Sequence, residues 1–319
     1  MSAPTAQRPE PPQFEAPQSA IALHDGPRYD PPRRLSPAPA KDRRWRRLTT
    51  LLGGTLVLIA VLALTAGSVA SWMSLREFDE VPATLGLGTP RSLSLDVAAG
   101  DVRVLPSDAV SEVTLSLVAR GTSVPVGPDG RVRAELRRTG GPQHPVVGVD
   151  QPHDLSLLPG AGGDRDVLVL VPIGHVLDLE LASGTGDLSV AGDFTALHAS
   201  TEVGDVLLGP VTATEDLSVR AEVGSIDVEL LSPGPAAIEL SSQLGDIDLR
   251  MPVDATSRIG AVTDLGDVVV ELPGTELWRV EARTELGEAQ IDPGVEGAEG
   301  GSVGTLSLIS SAGDITVTR

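Results

Sequence analysis

The chain contains no cysteine, which excludes disulfides, thiol nucleophiles and thiolate metal sites together. Aromatic residues make up only 2% of its 319 residues, and beyond Phe78 only Phe194 and Trp278 remain. Long loops that would wall a cleft are scarce too, so the paired carboxylates of a glycosidase would have no bound sugar to flank. Basic charge is unevenly supplied. Residues 1–47 carry a net charge of +4 and the remainder of the chain −24. Phosphate backbones are bound by clustered Lys and Arg, so nucleic acid is not an expected partner.

Catalytic and metal-binding motifs are missing as well. No run matches a nucleophile elbow or a phosphate-binding loop. His144, His153, His175 and His198 show no paired ligand spacing. His144 and His153 share a stretch with Asp150 and Asp154, but without cysteine or a helical i, i+4 pair they read as solvated loop residues. The expectation is a chain that is not an enzyme and has neither a cofactor nor a dedicated metal site.

What is present falls into unequal parts. Residues 1–47 hold prolines in pairs, Pro11 with Pro12 and Pro31 with Pro32, and few aliphatic clusters. That is too little apolar surface to offset the entropy of ordering, and the stretch reads as a disordered tail. Leu48–Trp72, LTTLLGGTLVLIAVLALTAGSVASW, carries no charge; as a helix it would be about 37 Å long, enough to cross a bilayer. The basic cluster KDRRWRR, Lys41–Arg47, stays in the cytoplasm by the positive-inside rule. The expected localisation is the cell membrane, with one retained span, a cytoplasmic N-terminus, a linker over 73–90 and an extracytoplasmic remainder.

Glycine-centred repeats dominate that remainder. STEVGDVLL ends at Leu208, AEVGSIDV at Val228, SQLGDIDL at Leu249, TDLGDVVV at Val270, TELGEAQI at Ile291 and SSAGDITV at Val317. AAGDVRV at Val104 and ASGTGDLSV at Val190 share the ending. The pivotal glycines are Gly100, Gly186, Gly204, Gly224, Gly245, Gly266, Gly287 and Gly313, spaced from Gly186 to Gly287 by 18, 20, 21, 21 and 21 residues. A near-constant period indicates a repeat architecture. Before each glycine, inward residues alternate with the period of a strand, as in Leu217, Val219 and Ala221 or Ile259, Ala261 and Thr263. After it the phase slips, Val203 to Val206 and Leu265 to Val268. We read Val203 and Leu265 as inward too, with glycine turning the corner inside the gap.

The expected fold class is all-β: a single-stranded β-solenoid of about 20-residue coils over 177–319, preceded over 91–176 by a β-meander, or by less regular coils, that covers its first face, with the tail and transmembrane helix ahead of both. SLSLDVAAGDVRVLP from Ser92, VLVLVPIG from Val167, SGTGDLSV from Ser183 and EVGDVLL from Glu202 together resemble the bacterial putative-adhesin β-helical family of membrane-anchored envelope proteins. The resemblance covers about Arg91 to Arg319 and rests on repeated texture. It implies an extracytoplasmic β-solenoid, sometimes associated with envelope-stress regulation, and it carries over no catalytic residues.

One column of side chains invites a chemical reading. Asp187, Asp205, Asp246, Asp267, Glu288 and Asp314 follow the corner glycines, with Ser225 interrupting. Stacked carboxylates suit calcium, yet calcium-binding β-rolls place glycine and aspartate every nine residues or so, and here there is one acid per coil. The reading adopted is that each carboxylate accepts a backbone N–H at the bend. The functional expectation is an adhesin-like or scaffolding interaction module of the cell envelope. The alternative is an envelope-stress sensing or signalling component that relays exterior binding to the tail. For partners we expect the membrane and a protein, or a second copy, added to an edge strand at DITVTR, Asp314–Arg319.

Overall fold

The computed structural model describes residues 52–59, 61, 78–127, 129–152, 165–253, 255–297 and 302–319. Within the first unit, Met1–Ile59, it describes a helix over 52–59. No helix among the described residues is long and apolar enough to cross a membrane; positions 48–51, 60 and 62–72 of the expected span lie outside them. This corrects the expected transmembrane helix over 48–72 and the single-pass localisation that depended on it. The signalling alternative needed that span and is not carried further. The tail over 1–47 lies outside the described residues.

Among the described residues from 78 onward, the second unit, Ala60–Arg319, holds strands and no helix. Its strands are β1 Glu80–Pro82, β2 Thr84–Gly88, β3 Ser92–Ala99, β4 Val102–Ser107, β5 Val113–Ala119, β6 Arg131–Arg133, β7 Glu135–Gly141, β8 His144–Asp150, β9 Arg165–Pro172, β10 Leu177–Thr185 and β11 Leu188–Val203. They continue with β12 Val206–Ala213, β13 Asp216–Val223, β14 Ile226–Leu230, β15 Ala237–Leu244, β16 Ile247–Arg250, β17 Arg258–Leu265, β18 Val268–Glu271, β19 Trp278–Leu286, β20 Ala289–Ile291, β21 Gly304–Ala312 and β22 Ile315–Thr318. Apart from β1 and β6, which pair with each other, all belong to one β-helix-like sheet wrapped around a shared core.

Each repeat forms a strand, a corner at glycine and a second strand. In the Gly245 coil, β15 pairs in parallel with β13 and β17, while β16 pairs with β14 and β18. The long β11 serves two coils. Its start, Leu188–Val190, completes the Gly186 coil, and its end, Leu197–Val203, opens the Gly204 coil. Like residues stack on like: Leu197, Leu217, Ile238, Ile259 and Leu306 form one buried column, and Val206, Ile226, Ile247, Val268 and Ile315 face it from the second strand. In-register stacking at about 4.8 Å per coil satisfies every inner backbone group and excludes water from both columns.

Coil order departs from chain order at both ends of the stack. The Gly100 coil, β3 with β4, lies between the Gly186 coil and a further coil made by β8 and β9. At the other end, β21 pairs with both β17 and β19, and β22 with both β18 and β20. The Gly313 coil, last in sequence, therefore sits between the Gly266 and Gly287 coils. Composition explains the exchange. The inner position goes to the coil bearing Leu306, Leu308, Ile315 and Val317, all at most 1% exposed. The outer position goes to the one bearing Val280, Ala282, Thr284 and Ala289, which has less apolar surface to lose from water.

Two further expectations are corrected. Residues 91–176 are not a separate meander, because β3, β4, β8 and β9 are parallel coils of the main stack; antiparallel pairing is confined to β5 on β9, β2 on β5, β7 on β8 and β1 on β6. The edge expected at Asp314–Arg319 is interior, since β22 has partners on both sides. Among the described residues, the open edge belongs to β19 and β20.

Candidate functional site

The corners set the surface chemistry of the stack, and their geometry is repeated. Gly266 has φ +154°, and a Cβ built there would lie 2.1 Å from the carbonyl oxygen of Gly245 in the coil beneath. No side chain fits that approach, so glycine is required by contact as well as by conformation. The Gly266 N–H in turn donates to the Ala312 carbonyl at 3.0 Å, tying its corner to the coil above.

The acidic column is consumed by the same corners. Asp101 Oδ1 accepts the Asp187 N–H at 3.1 Å, Asp187 accepts that of Asp205 at 2.9 Å, and Asp205 accepts that of Ser225 at 2.8 Å. Ser225 passes nothing on. The chain of bonds resumes where Asp246 accepts from Asp267 at 2.8 Å, Asp267 from Asp314 at 2.7 Å, and Asp314 from Glu288 at 2.8 Å. This order, Asp267 to Asp314 to Glu288, independently reports the exchanged coils. Each of these aspartates thus caps an amide of the neighbouring coil that the bend would leave unpaired, worth about 1.5–3 kcal/mol as a hydrogen bond to a charged acceptor, whereas Glu288 enters only through its N–H. Among the described residues no group of three or more His, Asp or Glu side chains is arranged to hold a metal ion.

Behind the corner a second column does the complementary task. The hydroxyls of Ser242, Thr263, Ser310 and Thr284 donate to the carbonyls of Gly224, Gly245, Gly266 and Gly313 at 2.9–3.0 Å. Small hydroxylated residues recur at this inward position because the glycine carbonyl of the neighbouring coil needs a donor. Ser183, buried at the equivalent place, has no partner for its hydroxyl.

The residue just before each glycine reverses the sequence expectation. Val203, Val223, Leu244 and Leu265 are 48%, 43%, 51% and 57% exposed. Their carbonyls still accept ladder bonds, as Val203 does from Gly186 N–H at 2.9 Å, but the chain has left strict alternation and their side chains face out. They stack along the ladders as a ridge of four rungs, about 14 Å long at 4.8 Å per coil. Glu202, Glu222, Gln243 and Asp264 are exposed on one side of it, and Asp205, Ser225, Asp246 and Asp267 on the other. Beyond Leu265 the ridge is interrupted by Ala312 and ends at Leu286, 74% exposed.

The described histidines do not converge. His144 Nδ1 lies 2.7 Å from the Ser92 hydroxyl, His175 Nε2 lies 2.9 Å from the Pro90 carbonyl, and His198 is exposed on β11. His153 and Asp154 lie outside the described residues. Two carboxyl groups are perturbed. Burial pushes the Asp166 carboxyl up, although the Gly121 N–H at 2.6 Å and Arg103 at 3.3 Å counteract it. Burial likewise raises Asp248, which shares Arg250 with Asp227 and Glu271 at 3.2–3.5 Å. In both cases arginine neutralises the strand surface where acids are stacked.

No family model matches the chain, and no curated protein matches it. Two solved structures are similar. One, from Clostridium sporogenes and described as a "putative cell adhesion protein", is 11% identical, covers 76% of this chain and 99% of its own, and superposes with a TM-score of 0.32. The other, from Bacteroides fragilis and described as a "putative adhesin", is 12% identical, with 76% and 97% covered and a TM-score of 0.41. At that identity and superposition neither transfers a function to this chain.

Proposed function

We propose that the protein is a non-catalytic binding module, adhesin-like or scaffolding in kind, whose contact surface is the corner ridge. The observation that carries this reading is the exposure of Val203, Val223, Leu244 and Leu265 in consecutive coils. A soluble surface gains nothing from four aligned aliphatic side chains, and contiguous apolar rows rimmed by polar residues mark contact sites. The carboxylates on both flanks select the partner's charge. A polypeptide offering apolar side chains with Lys or Arg beside them fits; a polyanion is repelled.

The test uses beads coated with the full chain and surfaces carrying an alternating Leu/Lys polypeptide or its Leu/Glu counterpart. Adhesion is expected on the basic polymer only, weakened by high salt because the flanking charges are exposed. Leu244→Asp with Leu265→Asp should abolish it at unchanged secondary structure. Equal adhesion by the wild type and this double variant would remove the ridge from the account.

A further inference from the structure

The two ends of the coil stack are finished differently. At the β8–β9 end the antiparallel strands β2, β5 and β7 continue the sheet, and Val147, Val167 and Val169 are completely buried. At the β19–β20 end the inward residues Val280, Ala282, Thr284 and Ile291 are only half-buried, and Ala289 is exposed. Among the described residues, the outer side of β19 has one partner, the Trp278–Glu296 bridge. There the Trp278 N–H donates to the Val295 carbonyl at 2.8 Å and its own carbonyl accepts from Gly297 at 2.9 Å. Backbone groups alternate along a strand, so those of Val280, Ala282 and Thr284 point to the same outer side.

The outward residues of this strand read Arg279, Glu281, Arg283 and Glu285, all exposed. We propose that this edge pairs antiparallel with β19 of a second copy, about a two-fold axis through Ala282. The sequence is complementary to its own reverse in that register. Glu281 falls opposite Arg283 of the second copy, Arg279 opposite Glu285, and Val280 opposite Thr284. Ala282 faces itself as a hydrogen-bonded pair, so both charge pairs occupy non-hydrogen-bonded positions, where side chains approach most closely. The interior faces of both copies then lie on one side of a continuous sheet, and each half-buried column is covered by the other. The ladder needs only Val280–Thr284 and stops short of the Trp278–Glu296 bridge. The present contact of Arg283 with Glu281 within one strand is 3.9 Å long and exposed, so little is lost when it is exchanged across the axis. This contact is independent of the corner ridge, which faces solvent at the turns.

Sedimentation of the full chain distinguishes this arrangement from other uses of the edge. The wild type should be a dimer that weakens with salt. Glu281→Arg places arginine opposite arginine, and Arg283→Glu places glutamate opposite glutamate; each alone should associate about tenfold or more weakly. Mixed together, the two variants restore both charge pairs and should form a heterodimer. Both side chains are exposed, so folding is not at stake, and circular dichroism should be unchanged. A wild type that stays monomeric at all concentrations, single variants that dimerise as well as the wild type, or a mixture that stays monomeric would each overturn the proposal.

Discussion

Replacing Gly266 by alanine probes the corner most directly. The backbone at φ +154° is essentially closed to residues with a Cβ, at a cost of about 1–3 kcal/mol. The added Cβ would stand 2.1 Å from the Gly245 oxygen and 2.6 Å from its carbon, so the two coils must separate. Separation weakens the Gly245 N–H bond to Leu265 at 3.0 Å and the Asp267 N–H bond to Asp246 at 2.8 Å; losing the first and part of the second, which is worth about 1.5–3 kcal/mol intact, costs about 2 kcal/mol together. The combined loss is about 3–5 kcal/mol. Urea denaturation should show it as a lower midpoint at unchanged slope. Gly88 supplies the control, because its φ is +78° but no atom lies within 4 Å of its would-be Cβ; Gly88→Ala should cost only the conformational part, about 1–2 kcal/mol. If Gly266→Ala costs no more than Gly88→Ala, the close contact between coils is not what fixes glycine there.

Other outcomes follow from the same geometry. Leu240, 2% exposed, and Leu244, 51% exposed, lie four residues apart on β15; Leu240→Ala should cost about 2–5 kcal/mol and Leu244→Ala under about 1 kcal/mol in the same denaturation assay. Thr263→Val deprives the Gly245 carbonyl of its hydroxyl donor and should cost about 1–2 kcal/mol, while Ser183→Ala, which removes an unpartnered hydroxyl, should be neutral or stabilising. The Asp166 carboxyl is raised by burial, so the native state holds its proton more tightly than the unfolded chain, and stability falls as pH rises from the unfolded value through the folded one. The melting temperature of Asp166→Asn relative to wild type should therefore increase from about pH 3 to about pH 7, and a flat or falling difference would contradict the burial argument.

Much of the coil was legible because its signals are local. The period of the glycines and the alternation upstream of them are properties of one repeat, and the inward column from Leu197 to Leu306 is buried where alternation placed it; the acids are visible in each repeat, but the amide each one caps belongs to the neighbouring coil. The residue before the glycine was misread, because an apolar side chain at a strand end carries no mark of which way it faces once alternation lapses. The described ends of the β8–β9 coil carry no repeat signature: Arg165 stands two residues before Val167, where Gly100 stands two before its register partner Val102, and the buried Gln151 side chain donates to the carbonyls of Ala99 and Arg165 and accepts the Arg165 N–H. The exchanged coil order was invisible to any local pattern, since Gly287 and Gly313 carry the same motif. Only the lower apolar content around Val280 and Ala282, beside the long connection Asp292–Val303, hints at which coil ends the stack. Arg319 supports that order by donating to the carbonyls of Gly274, Glu276 and Gly294.

The stacking order itself, which leaves β19 at the edge, can be tested with cysteine pairs in a chain that has no cysteine of its own. Ile309 is in register with Val262 on one side and with Arg283 on the other. Adjacent coils are about 4.8 Å apart and alternate ones about 9.6 Å, and a disulfide needs Cα atoms closer than about 7 Å. Under mild oxidation at high dilution, with the mass of the oxidised monomer as the readout, Val262→Cys with Ile309→Cys and Arg283→Cys with Ile309→Cys should each close a bridge, while Val262→Cys with Arg283→Cys should keep both thiols free. A bridge in the last pair, with none between positions 262 and 309, would mean that the coils stack in chain order and that the edge strand has been misassigned.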